Sequence, residues 1–310
     1  MKRKFPYWHE VVLALSTVAV LIVAGALDPS FVSARVQADL ANSVWELVVI
    51  ALPMTLIVTT GGIDLSVGAT LSLSAVAMGL TFERTRSLPL SVLAALATGF
   101  VAGTLNGLFV TKVRVHPLIV TLATMSAFYG FAEGFSHARP VSGFPEALAK
   151  TLSGPAQAAI AVIAVVLTLF MAKRSVGGQA LASIGYNEQA TRFSGLRVDK
   201  IKTWLYSLSG LAAALAGVFF VARRNTAKAD VGQGIELEVI TAVVLGGTSI
   251  TGGQGSVVGT LLGVFLVHET RQFVSWHWEH DELNQIVIGA LLVLTVLIKR
   301  LFDHTPEGAK

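Results

Sequence analysis

Asp64 stands in TTGGIDLSVGAT, Thr59 to Thr70, beside the hydroxyls of Thr59, Thr60 and Ser66 and between the apolar runs Leu47 to Val58 and Leu71 to Leu80. A carboxylate and hydroxyls so spaced can hydrogen-bond a polar solute or cap a helix. Gly61, Gly62 and Gly68 allow positive φ and close backbone approach, so a helix can stop, turn and restart in little space. A second stretch, LGGTSITGGQGSVVGT from Leu245 to Thr260, repeats the type with Gly246, Gly247, Gly252, Gly253, Gly255 and the hydroxyls of Thr248 and Ser249. Paired glycine-interrupted apolar segments in the two halves of a chain point to a transporter's substrate region, where broken helices aim backbone dipoles inward. On that reading Thr59, Thr60, Asp64, Ser66, Asn106, Thr248 and Ser249 line a translocation pathway. A carboxylate at mid-bilayer depth costs about 2.5–3.5 kcal/mol by insertion scales, so Asp64 must then face protein or water. The competing reading makes Asp64 the cap of an ordinary cytoplasmic turn and lets Thr248 and Ser249 bond back to their own helices.

Other chemistries find less support. His277 and His280 in WHWEHDE have H-x-x-H spacing, but the flanking Trp276 and Trp278 suit an interfacial aromatic belt, and no metal is expected. No Ser/His/Asp or paired-carboxylate constellation can be specified, so the chain does not read as an enzyme. No phosphate loop of the G-x-x-x-x-G-K-[ST] type occurs, so any ATP is hydrolysed by another chain. Glu46, Asp64 and Glu133, with Glu269 near a span end, are the acids available to a proton relay and keep a proton-coupled carrier as the alternative.

The elements that must position these residues are membrane helices. Of 310 residues 53% are hydrophobic and 14% charged, with mean hydropathy +0.68, outside the usual soluble range. About ten apolar spans are expected, at 10–27, 41–60, 66–82, 88–111, 116–134, 156–172, 201–222, 235–247, 256–270 and 284–301. Their length without dyad alternation makes them helices and not barrel strands. The first, after MKRKFPYWHE, also imitates a signal peptide with Ala24-Gly25-Ala26 as a cleavage-like site, and serves equally as an uncleaved anchor. With both termini inside, 14 of the 23 Lys and Arg fall in cytoplasmic loops, a moderate positive-inside bias. Gly99, Gly103 and Gly107 have the i, i+4 spacing of close helix packing, and no cysteine exists for disulfides or thiolate metal sites. The longest polar stretch, Lys173 to Lys202, holds a helical candidate from Gln179 to Phe193 that stops near Gly195 and suits an interfacial anchor or a partner's docking surface.

The stretches GGIDLSVGAT, GYNEQATRFSGLRVDKIK, AVVLGGTSITGGQGSVVGT and NQIVIGALLVLTVLIKR resemble, in order and spacing, the inner-membrane permeases of bacterial ABC importers for ribose, related monosaccharides and autoinducer-2. The similarity runs from about residue 10 to 302. It implies an all-α, ten-helix permease domain of the vitamin-B12-importer type, working as a homo- or heterodimer in the bacterial inner membrane. It also implies a periplasmic sugar-binding protein outside and ATP-binding domains inside, the ATP and Mg being held by that partner and no cofactor by this chain. By the same resemblance the segment around 173–200, with Gly185, Asn187, Glu188, Ala190 and Gly195, couples to the ATPase. Its Glu188-to-Gly195 spacing is one residue longer than the EAA-x3-G loop of other importer permeases. A non-transporting membrane scaffold is the remaining alternative.

Overall fold

The computed structural model describes residues 8–174, 176–278 and 281–302. The chain is helical almost throughout, beginning with α1 (Trp8–Leu27), α2 (Ala34–Thr59), α3 (Val67–Thr85), α4 (Leu88–Leu108) and α5 (Pro117–Ser136). Then follow α6 (Glu146–Leu152), α7 (Pro155–Arg174), α8 (Val176–Tyr186), α9 (Glu188–Phe193) and α10 (Val198–Arg224). The last three are α11 (Ile235–Leu245), α12 (Val257–Trp278) and α13 (Asp281–Phe302). A π-helical turn, Phe109–Val113, extends α4. Two-residue strands, β1 (Val141–Ser142) and β2 (Thr226–Ala227), pair antiparallel and tie two inter-helix loops together. Proline at the first turn starts α4 and α5, where its missing N–H costs nothing.

Among the described residues, six stretches are long and apolar enough to cross a membrane, on α1, α2, α4 with its π turn, α5, α6–α7 and α10. The chain is therefore an all-α, multi-pass membrane protein. α2 and α10 form its interior: Val48, Ile50, Ala51, Met54, Ala213 and Ala216 are buried in one cluster that α11 and α12 complete. α1 and α7 are mostly exposed, with Ile22, Val166 and Phe170 on the outside where lipid would be.

The glycines of α4 do what their spacing predicts. Gly99 and Gly103 pack on the backbone of Tyr206 and Gly210 in α10, and Gly107 packs on Thr203, all too closely to admit a Cβ. This brings two helix backbones together and fixes the antiparallel α4–α10 pair.

The segment read as one helix from Gln179 to Phe193 is two. Asn187 adopts an extended conformation between α8 and α9, and its side chain accepts the Ala190 N–H at 2.9 Å, so it caps a new helix where one continuous helix was expected. α12 also runs eight residues past the expected end at 270, to Trp278, which puts Arg271 on a helix and not in a loop.

Two ends of the bundle can be told apart. At one, the start of α1 meets the α11–α12 break, with His9 Nε2 2.7 Å from the Leu245 carbonyl oxygen. α8 and α9 lie at this end. At the other, Trp276 Nε1 donates to Asp28 at 2.8 Å.

Candidate functional site

Asp64 is built into the interior by the break between α2 and α3. Its Oδ1 accepts the Ser66 N–H at 3.0 Å and the Ser66 hydroxyl at 2.7 Å, closing a tight turn. Its Oδ2 accepts the Ser209 hydroxyl of α10 at 2.8 Å. Ser66 Oγ in turn accepts from Asn106 Nδ2 of α4 at 2.7 Å. These donors are uncharged, and Asp64 is only 1% exposed. Its depth follows from its partners. Ser209 lies eleven residues into α10, about 16 Å along the axis, and Asn106 lies seven residues before the end of the π turn, about 10 Å. Asp64 therefore sits within the bundle.

The two glycine-rich breaks meet. Gly253 N–H donates to the Thr59 carbonyl at 2.9 Å, with Gly61 and Gly252 both at positive φ beside that contact. Gly185, near the end of α8, packs against Thr59 O and Gly253 N with no room for a Cβ. Gln254 Nε2 donates to the Tyr186 hydroxyl at 3.2 Å. The end of α2, the second break and the end of α8 thus form one junction. Cavities of about 490 Å³, along Tyr186, Ser249, Thr251 and Gln254, and of about 300 Å³, along Thr55, Thr59, Leu181 and Gln254, open beside it.

Six of the seven expected pathway residues separate into two groups. Asp64, Ser66 and Asn106 form the interior network. Thr59 and Thr248 flank Gly255 at the junction, with Ser249 in the adjoining cavity wall. Thr59 and Thr60 turn their hydroxyls back to Thr55 O and Ile57 O of their own helix, each at 2.7 Å. Gly246 and Gly68 serve close packing, on the Gly259–Thr260 backbone and on Gly232 respectively.

In the α8–α9 segment, Glu188 accepts from Arg192 at 2.7 Å and from Lys202 of α10 at 2.7 Å. Arg192 also pairs with Asp199. Partial burial pushes the Glu188 carboxyl up, but the hydrogen bonds and charges of Lys202 and Arg192 outweigh it and hold the group below its ordinary value. Glu188 thereby clasps α9 to α10. Gly195, at φ +88°, ends the segment.

One polar feature escaped the sequence reading. At the end of the bundle away from α8, a cavity of about 490 Å³ lies among α2, α10, α11 and α12, walled by Glu46, Arg223, Arg224, His268 and Arg271 with Asp39 also on its lining. Arg223 grips both oxygens of Glu46, Nε at 3.0 Å and Nη2 at 3.2 Å, and Arg271 pairs with the buried Glu238 of α11. His268 is buried, with Nε2 3.2 Å from Leu40 O. Of these only Glu46 had been singled out. The available signal was His268 and Arg271 three apart on one face of α12, which required α12 to be followed past residue 270.

Of the acids named for a proton relay, Glu133 is exposed, because its face of α5 is uncovered. His277 stacks on Phe273 and meets Trp278 edge-on, while His280 lies outside the described residues.

A family model described as "Branched-chain amino acid transport system / permease component" matches residues 37–296. The ribose import permease protein RbsC of Bacillus subtilis (strain 168) is 33% identical over 287 residues, covering 90% of this chain and 89% of that protein. The autoinducer 2 import system permease protein LsrD of Escherichia coli (strain K12) is 30% identical over 312 residues, 97% of this chain and 94% of that one. No solved structure matches.

Proposed function

The chain belongs to the family of branched-chain amino acid transport system permease components, and on that premise we propose that it is the permease subunit of an ATP-driven, binding-protein-dependent importer for a monosaccharide or related small solute. The observation that carries this reading is similarity to a ribose and an autoinducer 2 import permease along nine-tenths or more of this chain. Import by such a subunit needs ATP and Mg on a partner ATPase, a periplasmic binding protein, and a second permease subunit, identical or not.

In this reading each of the ten expected spans, every one of which falls on a helix, is counted as a membrane segment in a vitamin-B12-importer-like arrangement. The eleven residues of α11 measure about 16 Å, half a bilayer, so α11 and the break after it act as a broken helix. Both termini face the cytoplasm of a bacterial inner membrane, and so does the α8–α9 end.

The partner ATPase docks on α8–α9, and its movement reaches the two breaks through Gly185, which touches both. Asn187, Ala190 and Gly195 shape the docking element, while Glu188 anchors it. The Asp64 network and the Thr59–Thr248 junction line or gate the pathway, the helices rearranging as the two subunits alternate access. At the opposite end, the Lys228–Asp230 pair and Arg139 border a cavity of about 180 Å³ on the side where a binding protein arrives.

Proteoliposomes holding the complete importer test this. Uptake of D-ribose or another monosaccharide should require ATP inside and the binding protein outside. Uptake by this chain alone, driven by a proton gradient, would replace the importer with a secondary carrier, and absence of any transport would favour a scaffold.

A further inference from the structure

We propose that the groove between α4 and α10, at the α8–α9 end of the bundle, binds an anionic phospholipid. Lys112, Arg114, Arg197 and Lys200 hold its phosphate, and an acyl chain lies along Trp204 and Leu208. The import reading sets only which leaflet supplies the lipid, and the chemistry of the site stands without it.

α10 is an interior helix with one open stripe. Between Lys200 and Arg223 only Trp204 and Leu208 are exposed, the indole at 66%. Their spacing continues that of the exposed Arg197 and Lys200, so the four share one face, cationic at its end and apolar farther in. α4 supplies a matching edge. Gly107 packs on Thr203, and the hydroxyls of Thr111 and Thr203 are 3.0 Å apart, which sets the exposed Lys112 and Arg114 level with Lys200 and Arg197. The hydroxyls of Thr104 and Ser207 are 2.8 Å apart, and the Phe100 ring lies 6.2 Å from that of Trp204. The line Phe100, Thr104, Leu108 and Lys112, at successive i, i+4 positions, therefore runs beside the stripe on α10. Both helices change from apolar to cationic at the same height.

These cations have no acid of their own. Glu188 and Asp199 are engaged by Arg192 and Lys202, and among the described residues no ion pair reaches Lys112, Arg114, Arg197 or Lys200. Asp199 is near enough for Lys112 and Arg114 to feel its charge, but it is already paired with Arg192. Unpaired like charges gathered on one small surface repel one another and favour an anion between them. A phosphate supplies oxygens that accept charge-assisted hydrogen bonds from Arg and Lys together. Trp204, next to the cations, marks the edge of the hydrocarbon, where indoles concentrate. A partner arriving from water reaches the cations but not Leu208, about 12 Å farther along α10 than Lys200. A lipid with a charged headgroup covers both ends of the stripe at once.

Fluorescence quenching tests the site. The full-length chain is placed in nanodiscs of phosphatidylcholine in which the same minor fraction of lipid carries brominated tails, on phosphatidylglycerol in one sample and on phosphatidylcholine in the other. The chain has five tryptophans, so the Trp204 signal is the difference between wild type and Trp204→Phe. Brominated phosphatidylglycerol should quench that signal at least threefold more strongly than brominated phosphatidylcholine, and high salt should shrink the preference. Lys112→Gln, Arg114→Gln, Arg197→Gln and Lys200→Gln combined should bring the quenching down to the phosphatidylcholine level.

Equal quenching by the two lipids overturns the site, and a preference that survives the fourfold substitution takes it away from these residues. Equal quenching together with loss of ATPase co-purification in the fourfold variant gives the cations to that partner instead. If the fourfold variant is not made stably, Lys200→Gln alone should lower the preference by at least a third, and an unchanged preference overturns the headgroup contact. No transport enters this readout, so failure of the import reading shows only in proteoliposome uptake and leaves the quenching result in place.

Discussion

Asp64 is a carboxylate whose partners in the network, Ser66 and Ser209, are neutral donors, which separates its shape from its charge. Asn at this position keeps an acceptor for Ser66 and can donate to the Ser209 oxygen, so Asp64→Asn should melt within a few degrees of wild type in detergent. Asp64→Leu leaves two hydroxyls and an amide without an acceptor in the interior, each at a cost of about 1–3 kcal/mol. That variant should lose most of its thermal stability, and equal melting of the two would mean that the network contributes little. If the charge itself serves transport, Asp64→Asn should lower ATP-driven uptake while leaving the melting curve in place. The sequence made Asp64 conspicuous because a carboxylate beside two glycines is unusual in an apolar run. Its depth was not legible, since that depends on Ser209 and Asn106, which lie 145 and 40 residues away from Asp64 and Ser66 respectively.

Helices were the legible scale, because apolar runs need only length and composition to be recognised, and each expected stretch overlaps a helix, though several helix ends lie elsewhere than expected. The α4 glycines were legible for the same local reason, and their role is open to a paired test. Gly103→Ala would press a methyl into the Tyr206 carbonyl and should cost about 1–3 kcal/mol, read as a lowered melting temperature. Gly130→Ala in α5 meets nothing within 4 Å and should be neutral or stabilising by about 0.5–1 kcal/mol. Less visible was the division of α8 from α9, because a lone Asn inside a helical pattern does not by itself end a helix, and Asn187 divides the segment through its cap to Ala190. The clasp that holds α9 in place carries a pH signature. The Glu188 carboxyl lies below its ordinary value in the folded chain, so the unfolded chain binds the proton more readily and stability rises with pH across that range. The clasp should be intact above about pH 4.5 and be lost as pH falls through the lower, folded value. Hydrogen exchange over 188–193 should quicken on acidification below that point, and Glu188→Gln should exchange faster already at pH 7 with a weaker acid response.

Across the whole molecule, the informative contact is the one that no local pattern contains: the end of α2, the loop before α12 and the end of α8 share a junction of backbone and glycine. Each break was legible by its glycines, and the polar segment by its charges. That Gly185 would touch Thr59 and Gly253 was not, because three segments far apart in the chain supply it. Such a contact transmits displacement, since backbone against backbone has little compliance and no side chain can rotate aside. If, as proposed, a partner ATPase docks on α8–α9, the movement it imposes must shift both breaks together or open the junction. Tyr186 and Gln254, bonded across it at 3.2 Å and both exposed, allow the two possibilities to be distinguished. In the complete importer, Tyr186→Cys with Gln254→Cys should transport normally until joined by a short bis-maleimide. If the junction opens during the cycle, the joined protein should lose at least nine-tenths of its ATP-driven uptake, and the same variant joined through a long flexible linker should retain it. Undiminished uptake with the short linker would mean that α8 and the breaks move as one rigid body, with the opening step elsewhere in the bundle.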